Sequence, residues 1–114
     1  MKTVTKTIPL EEIKQMSQRM FGSIVKAVVD LDRKIMVIDA AMHSDEEEEL
    51  LESGSQQGNL WGINLHAAHY PKPEWIEFDS MINLRPSWGN FTRSVDDSKV
   101  QQKIIELVNT MVIP

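Results

Sequence analysis

Apolar positions recur along this chain with two periods, one near 3.6 and one of 2, and the switches between them predict its elements. Lys2 to Ile8 alternate weakly and predict an edge strand. Pro9 stands where a helix begins, because its missing N–H is harmless in a first turn. Leu10, Ile13, Met16 or Ser17, and Met20 follow at helical spacing, and Gly22 is placed to close that helix in a left-handed conformation. The β-branched runs SIVKAVVDL and KIMVIDAAM, parted by Asp32 and Arg33, predict an antiparallel hairpin whose turn lacks the usual glycine. Ser44 and Glu47 have the spacing of a capping box at the start of a second helix, with Asp45 and Glu46 at the positive end of its dipole and Gly54 at its close.

The run LWGINLH reads as a further strand, and HAAHYPKPE, with Pro71 and Pro73, as a connection that cannot pair inside a sheet. From Trp75 the chain alternates again. Ile76, Phe78, Ile82 and Leu84 fall on one side of the predicted strand, with small Ser80 among them. Glu77, Asp79, Asn83 and Arg85 fall on the other, together with Trp75 and Met81, until Pro86 stops the run. Asp96 or Asp97 caps a last helix with the apolar stripe Val100, Ile104, Leu107, Val108 and Met111. The order is (β)αββαββα. It predicts an α+β fold: one domain over residues 1–114, a mostly antiparallel sheet of four to five strands, and about three helices.

Composition narrows the function more than it identifies it. The net charge is −5 and no Lys/Arg cluster stands out, whereas a protein that tracks nucleic-acid backbone needs a basic stripe to neutralise phosphates. Nucleic acid is therefore disfavoured as a partner. The absence of cysteine removes disulfides, thiolate zinc sites and cysteine nucleophiles together. No segment approaches the roughly 20 apolar residues of a spanning helix. The start MKTVTKTIPLEEI lacks the apolar core of a secretory signal, so a cytoplasmic protein without membrane attachment is expected.

Candidate chemistry concentrates between Trp75 and Arg93. Residues two apart on a strand face lie about 6.5–7 Å apart, so Glu77 and Asp79 suit a shared cation or divided acid and base roles. Arg85, with Arg93 from the following loop, suits a bidentate clamp on a carboxylate or phosphate, with Asn83 and Asn90 as orienting amides. His43, at a strand end just before a helix, adds an imidazole beside free backbone N–H groups. His66 and His69 match no metal-binding spacing, and no metal is assigned. The loop RPSWGNFTRSVDD lacks the spacing of a nucleotide P-loop, and no serine sits in a nucleophile elbow.

Three functions follow. One is a small-ligand or anion-binding module using Asn83, Arg85, Asn90 and Arg93, with His43 to orient. Another is an assembly protein, a homodimer, since a small sheet apolar on both faces needs a second layer. The third is a hydrolase-like enzyme in which Glu77 and Asp79 act as metal ligands or base, His43 as acid/base and Arg85 as electrophile. None of the three names a cofactor.

The phrases FGSIVKAVVD, MHSDEEEELLESGSQQGNLWGIN and WIEFDSMINLRPSWGN resemble a family of small bacterial and archaeal proteins known only as a domain of unknown function. The resemblance runs over nearly the whole chain. It implies a free-standing cytoplasmic domain and no reaction. In that family the loop after the Arg-Pro-Ser triplet is richer in arginine; here Trp88 and Phe91 take two of those positions, a departure from an anion clamp.

Overall fold

The computed structural model describes residues 1–19 and 23–114. The expected roles of Met20 and Gly22 lie outside the described residues. The first apolar runs form a central antiparallel sheet. Strands β1 (Lys2–Val4), β3 (Val25–Asp30), β4 (Ile35–Ile38), β5 (Leu60–Leu65) and β6 (Ile76–Glu77) stand in the order β1-β4-β3-β5-β6. β1 is the edge strand that the weak alternation of Lys2 to Ile8 predicts, but it ends at Val4, and Ile8 belongs to a separate strand. A second, two-stranded parallel pair joins β2 (Ile8–Pro9) to β7 (Val112–Ile113) and so ties the two ends of the chain together.

Both faces of the sheet are apolar, and the chain covers both itself. Along β3 and β5 the side chains alternate between two clusters. Val25, Ala27, Val29, Ile63 and Leu65 point to one face, where Met36 and Ile38 of β4 join them. On that face pack α1 (Leu10–Arg19) through Ile13 and Met16, and α3 (Ser98–Met111) through Ile104, Val108 and Met111. Val28, Val37 and Leu60 point to the opposite face, against Leu50 of α2 (His43–Glu52) and Ile82. The apolar second face that favoured a dimer is thus met within one chain, by α2 and the residues around Ile82. The α+β class and the antiparallel sheet stand as predicted.

Local chemistry explains the turns. The β3–β4 hairpin closes through Lys34 N–H to the Asp30 carbonyl at 2.9 Å, and Lys34 takes φ +56° where a glycine would be easier. Buried Asp30 holds that turn: its Oδ1 accepts from the backbone of Asp32 and Arg33, and its Oδ2 from Ser55 Oγ at 2.6 Å. Asp97 caps α3 by accepting from Lys99 N–H at 2.8 Å, and Gly54 takes φ +107° just beyond α2.

Two predictions about local structure are corrected. The capping box at Ser44 and Glu47 does not form. α2 starts one residue earlier, at His43, and Met42 precedes it with no side-chain cap. The cause is His43, which is buried and pinned by a 2.8 Å bond between its Nε2 and the Ile63 carbonyl, so it is drawn into the helix. The long strand from Trp75 to Arg85 is likewise short. Only Ile76 and Glu77 pair with β5, and 3-10 turns follow at Met81–Asn83 and Pro86–Trp88. Among the described residues no helix is long and apolar enough to cross a membrane.

Candidate functional site

The early end of β6 leaves room on the α2 face of the sheet. A hollow of about 510 Å³ opens there, between the start of α2 and the segment that follows β6. Its polar wall brings together His43 of α2, Lys26 of β3, Asn64 of β5, Glu77 of β6, and Asp79 and Arg93 from the later loops. Ile24, Met81 and Ile82 add apolar wall. That volume lies within the range of about 300–1,000 Å³ that small-molecule sites span. Four predicted residues therefore meet: His43, Glu77, Asp79 and Arg93.

Each is held differently. Glu77 Oε1 accepts from Asn64 Nδ2 at 2.9 Å and faces His66 Nε2 at 3.2 Å. The Asn64 amide, then the His66 ring, hold the Glu77 carboxyl below its ordinary range against some desolvation. Asp79 and Arg93 pair at 2.8 Å on the half-exposed rim. His43 is the buried member. Desolvation, helped by the charge of Lys26, lowers its pKa, while the Ile63 carbonyl, Asp79 and Asn64 act the other way. Its Nε2 must donate to the Ile63 carbonyl, so the neutral ring presents Nδ1 as an acceptor.

The other predicted ligand residues are elsewhere, and each completes the fold. Asn83 is fully buried. Its Oδ1 accepts from Gly62 N–H at 2.8 Å, and its Nδ2 donates to the carbonyls of Gly62 and Arg93 at 2.9 and 3.0 Å. Arg85 donates to the carbonyls of Gln57 and Leu60 at 2.6 and 2.9 Å, and stacks its guanidinium 4.4 Å from the Trp61 ring centre and 5.4 Å from that of Trp88. These groups do what a longer β6 would have done, since the outer backbone edge of β5 must be satisfied. Asn90 closes its own loop. Its Nδ2 reaches the carbonyls of Asn83, Thr92 and Ser94, its Oδ1 accepts from Asp96 N–H, and its backbone bridges Arg85. Trp75 also leaves the predicted polar face: it is 1% exposed in the core, edge-on to Tyr70, with Nε1 donating to Asn109.

Lys26 and Asn64 were missed, although a signal exists. Each is a polar residue in the middle of an otherwise apolar stretch of strand, and the register sets them directly opposite one another. His66 and His69 lie in a neighbouring hollow with Glu74 and Glu77, their rings 5.9 Å apart. Among the described residues no three His, Asp or Glu side chains converge to hold a metal.

No curated protein and no solved structure matches the chain. The whole-chain resemblance of its long phrases is borne out by a family comparison that spans residues 2–111 of the 114. By that match the chain belongs to the family described as "Protein of unknown function (DUF5674)".

Proposed function

We propose that this protein is a small-ligand binding module that receives an anionic group in the hollow at the start of α2. The observation that carries the reading is the convergence of His43, Lys26, Asn64, Glu77, Asp79 and Arg93 from four elements and two loops around one concavity. Arg93 is the chief donor, because its pair with Asp79 sits on the rim, where an incoming anion competes for it without unburying a charge. The uncapped start of α2, with His43 and Ser44 of its first turn along the wall behind Ala41 and Met42, adds backbone N–H groups to the same space. The apolar residues opposite admit a short carbon skeleton.

A thermal-shift series with sulfate and with small dicarboxylates such as succinate tests this. A ligand that binds only the folded state raises the melting temperature with concentration, and Arg93→Ala removes the rise. No rise with either anion at tens of millimolar overturns the reading.

A second reading, self-association, is favoured by the loop beyond the hollow. Trp88 and Phe91 are 57% and 68% exposed there, with Met81 and Leu84 also exposed along the same segment. Large aromatics are enriched in the parts of a surface that a partner buries. A dimer mass in light scattering, reduced to the monomer by Phe91→Ser, supports it; a monomer in the unaltered protein at high concentration removes it.

A further inference from the structure

His43 and Asn64 meet on the wall of the hollow in an arrangement that is incomplete when the imidazole is neutral. Asn64 is only 7% exposed, and its Nδ2 is committed to Glu77 Oε1 and the Asp79 carbonyl at 2.9 and 3.1 Å. Those two acceptors fix which end of the amide is which. Its Oδ1 is then a buried acceptor without a hydrogen bond. A buried acceptor left unpaired is unfavourable, so a donor is missing. The neighbouring imidazole has one nitrogen to offer. Nε2 is taken by the Ile63 carbonyl, and Nδ1 carries a hydrogen only when the ring is charged.

We infer that the hollow takes up its anion together with a proton, which resides on Nδ1 of His43 and supplies the donor that Asn64 Oδ1 lacks. The inference rests on the anion-binding reading above and adds the coupling. The surroundings favour it once an anion is present. In the free protein burial and Lys26 keep the ring neutral, and Asp79 and Asn64 already lean toward the charged form. An anion beside Arg93 and the start of α2 adds negative charge to a site where Glu77 and Asp79 contribute two carboxylates and Lys26 and Arg93 two cations. Charging His43 then offsets part of that added charge, and the new Nδ1–H completes the hydrogen bonding of Asn64. Asp45 and Glu47 on the first turns of α2 add carboxylates on the helix that carries His43, whereas buried Glu46 beside them is held as a neutral acid. The buried pair thereby reads the charge of the occupant.

The test uses the full chain and sulfate, which does not titrate between pH 5 and 8, unlike phosphate. Calorimetry in buffers of different ionisation enthalpy should show uptake approaching about one proton per sulfate near neutral pH. Affinity should strengthen as pH falls from about 8 toward 6, by up to about tenfold per pH unit. His43→Gln, which keeps a donor for the Ile63 carbonyl, should bind sulfate with an affinity flat across that range. Should that variant fail to fold, the ring nitrogens of His43 in the unaltered protein give the same answer by NMR. One nitrogen is protonated when free and both when saturated with sulfate. Sulfate binding without proton uptake, or with a neutral ring, overturns the coupling and leaves the anion site standing. No sulfate binding at any pH overturns both.

Discussion

The side chain of Asn83 and the backbone of Gly62 exchange two hydrogen bonds, at 2.8 and 2.9 Å, as a residue of a neighbouring strand would. β6 stops at Glu77, and Asn83 continues its work from a 3-10 turn. Replacing it strands both polar groups of Gly62 in a buried place, while the Arg93 carbonyl keeps its bond from Ser80 N–H at 3.0 Å. Each such group costs about 1–3 kcal/mol. Asn83→Ala should therefore lower the unfolding free energy by about 3 kcal/mol in urea titration; a loss under about 1 kcal/mol would mean that water fills the gap.

Gly62 is constrained from its other side as well. A Cβ there would lie 2.5 Å from Ser80 Oγ and 2.6 Å from Ser80 Cβ. Such a contact forces the turn off the strand and loosens Asn83 with it, so Gly62→Ala should destabilise by about 2 kcal/mol or more. Adding Ser80→Gly clears both atoms. The double variant should recover about 1 kcal/mol relative to additivity, and strict additivity would show that the backbone, not the side-chain contact, sets the limit.

The two arginines should part company. Arg85→Lys loses the fork that spans the carbonyls of Gln57 and Leu60, and the stack on Trp61 and Trp88, at about 1–2 kcal/mol of stability. It should leave sulfate binding unchanged. Arg93→Ala should do the reverse, with a stability change under about 1 kcal/mol, because its pair with Asp79 is half-exposed, and with loss of sulfate binding. Equal effects of both on binding would place Arg85 back at the ligand.

That contrast also marks how far the sequence could be read. Period gave the helices, with capping right at Asp97 and wrong at Ser44, and β-branched runs gave the sheet, because those signals are local and repeat within each element. The polar residues after Trp75 carry a period of 2 that matches a strand, yet only β6 uses it. Asn83 and Arg85 are polar because the outer edge of β5 needs partners, a demand set some twenty residues earlier at Leu60 and Gly62. Glycine inside LWGINLH was the available hint, since a strand glycine marks close approach of another segment. His43, Glu77, Asp79 and Arg93 meet for a reason no local pattern holds. The hollow exists where β6 ends and α2 begins, and both boundaries depend on tertiary contacts of His43 and Asn83.

Glu46 gives the protein a pH dependence of its own. It is fully buried on α2; Oε2 accepts from Ala40 N–H at 3.1 Å, and Oε1 has no hydrogen-bond partner. Desolvation raises its pKa from the ordinary 4.5 to about 9, so the folded protein holds this side chain as a neutral acid at pH 7. The unfolded chain gives the proton up near 4.5. Between those values the native state binds one more proton than the unfolded state, and stability falls as pH rises. The folding equilibrium weakens by about tenfold per pH unit from this group alone. His43 has the opposite sign over a lower window, because its lowered pKa makes acid below 6.5 unfavourable to the fold. Glu46→Gln keeps the shape and an acceptor for Ala40 without a charge to bury. It should match the unaltered protein near pH 5 and exceed its melting temperature increasingly from pH 6 to 8.5. Parallel curves for the two proteins across that range would show that Glu46 is ionised in the native state.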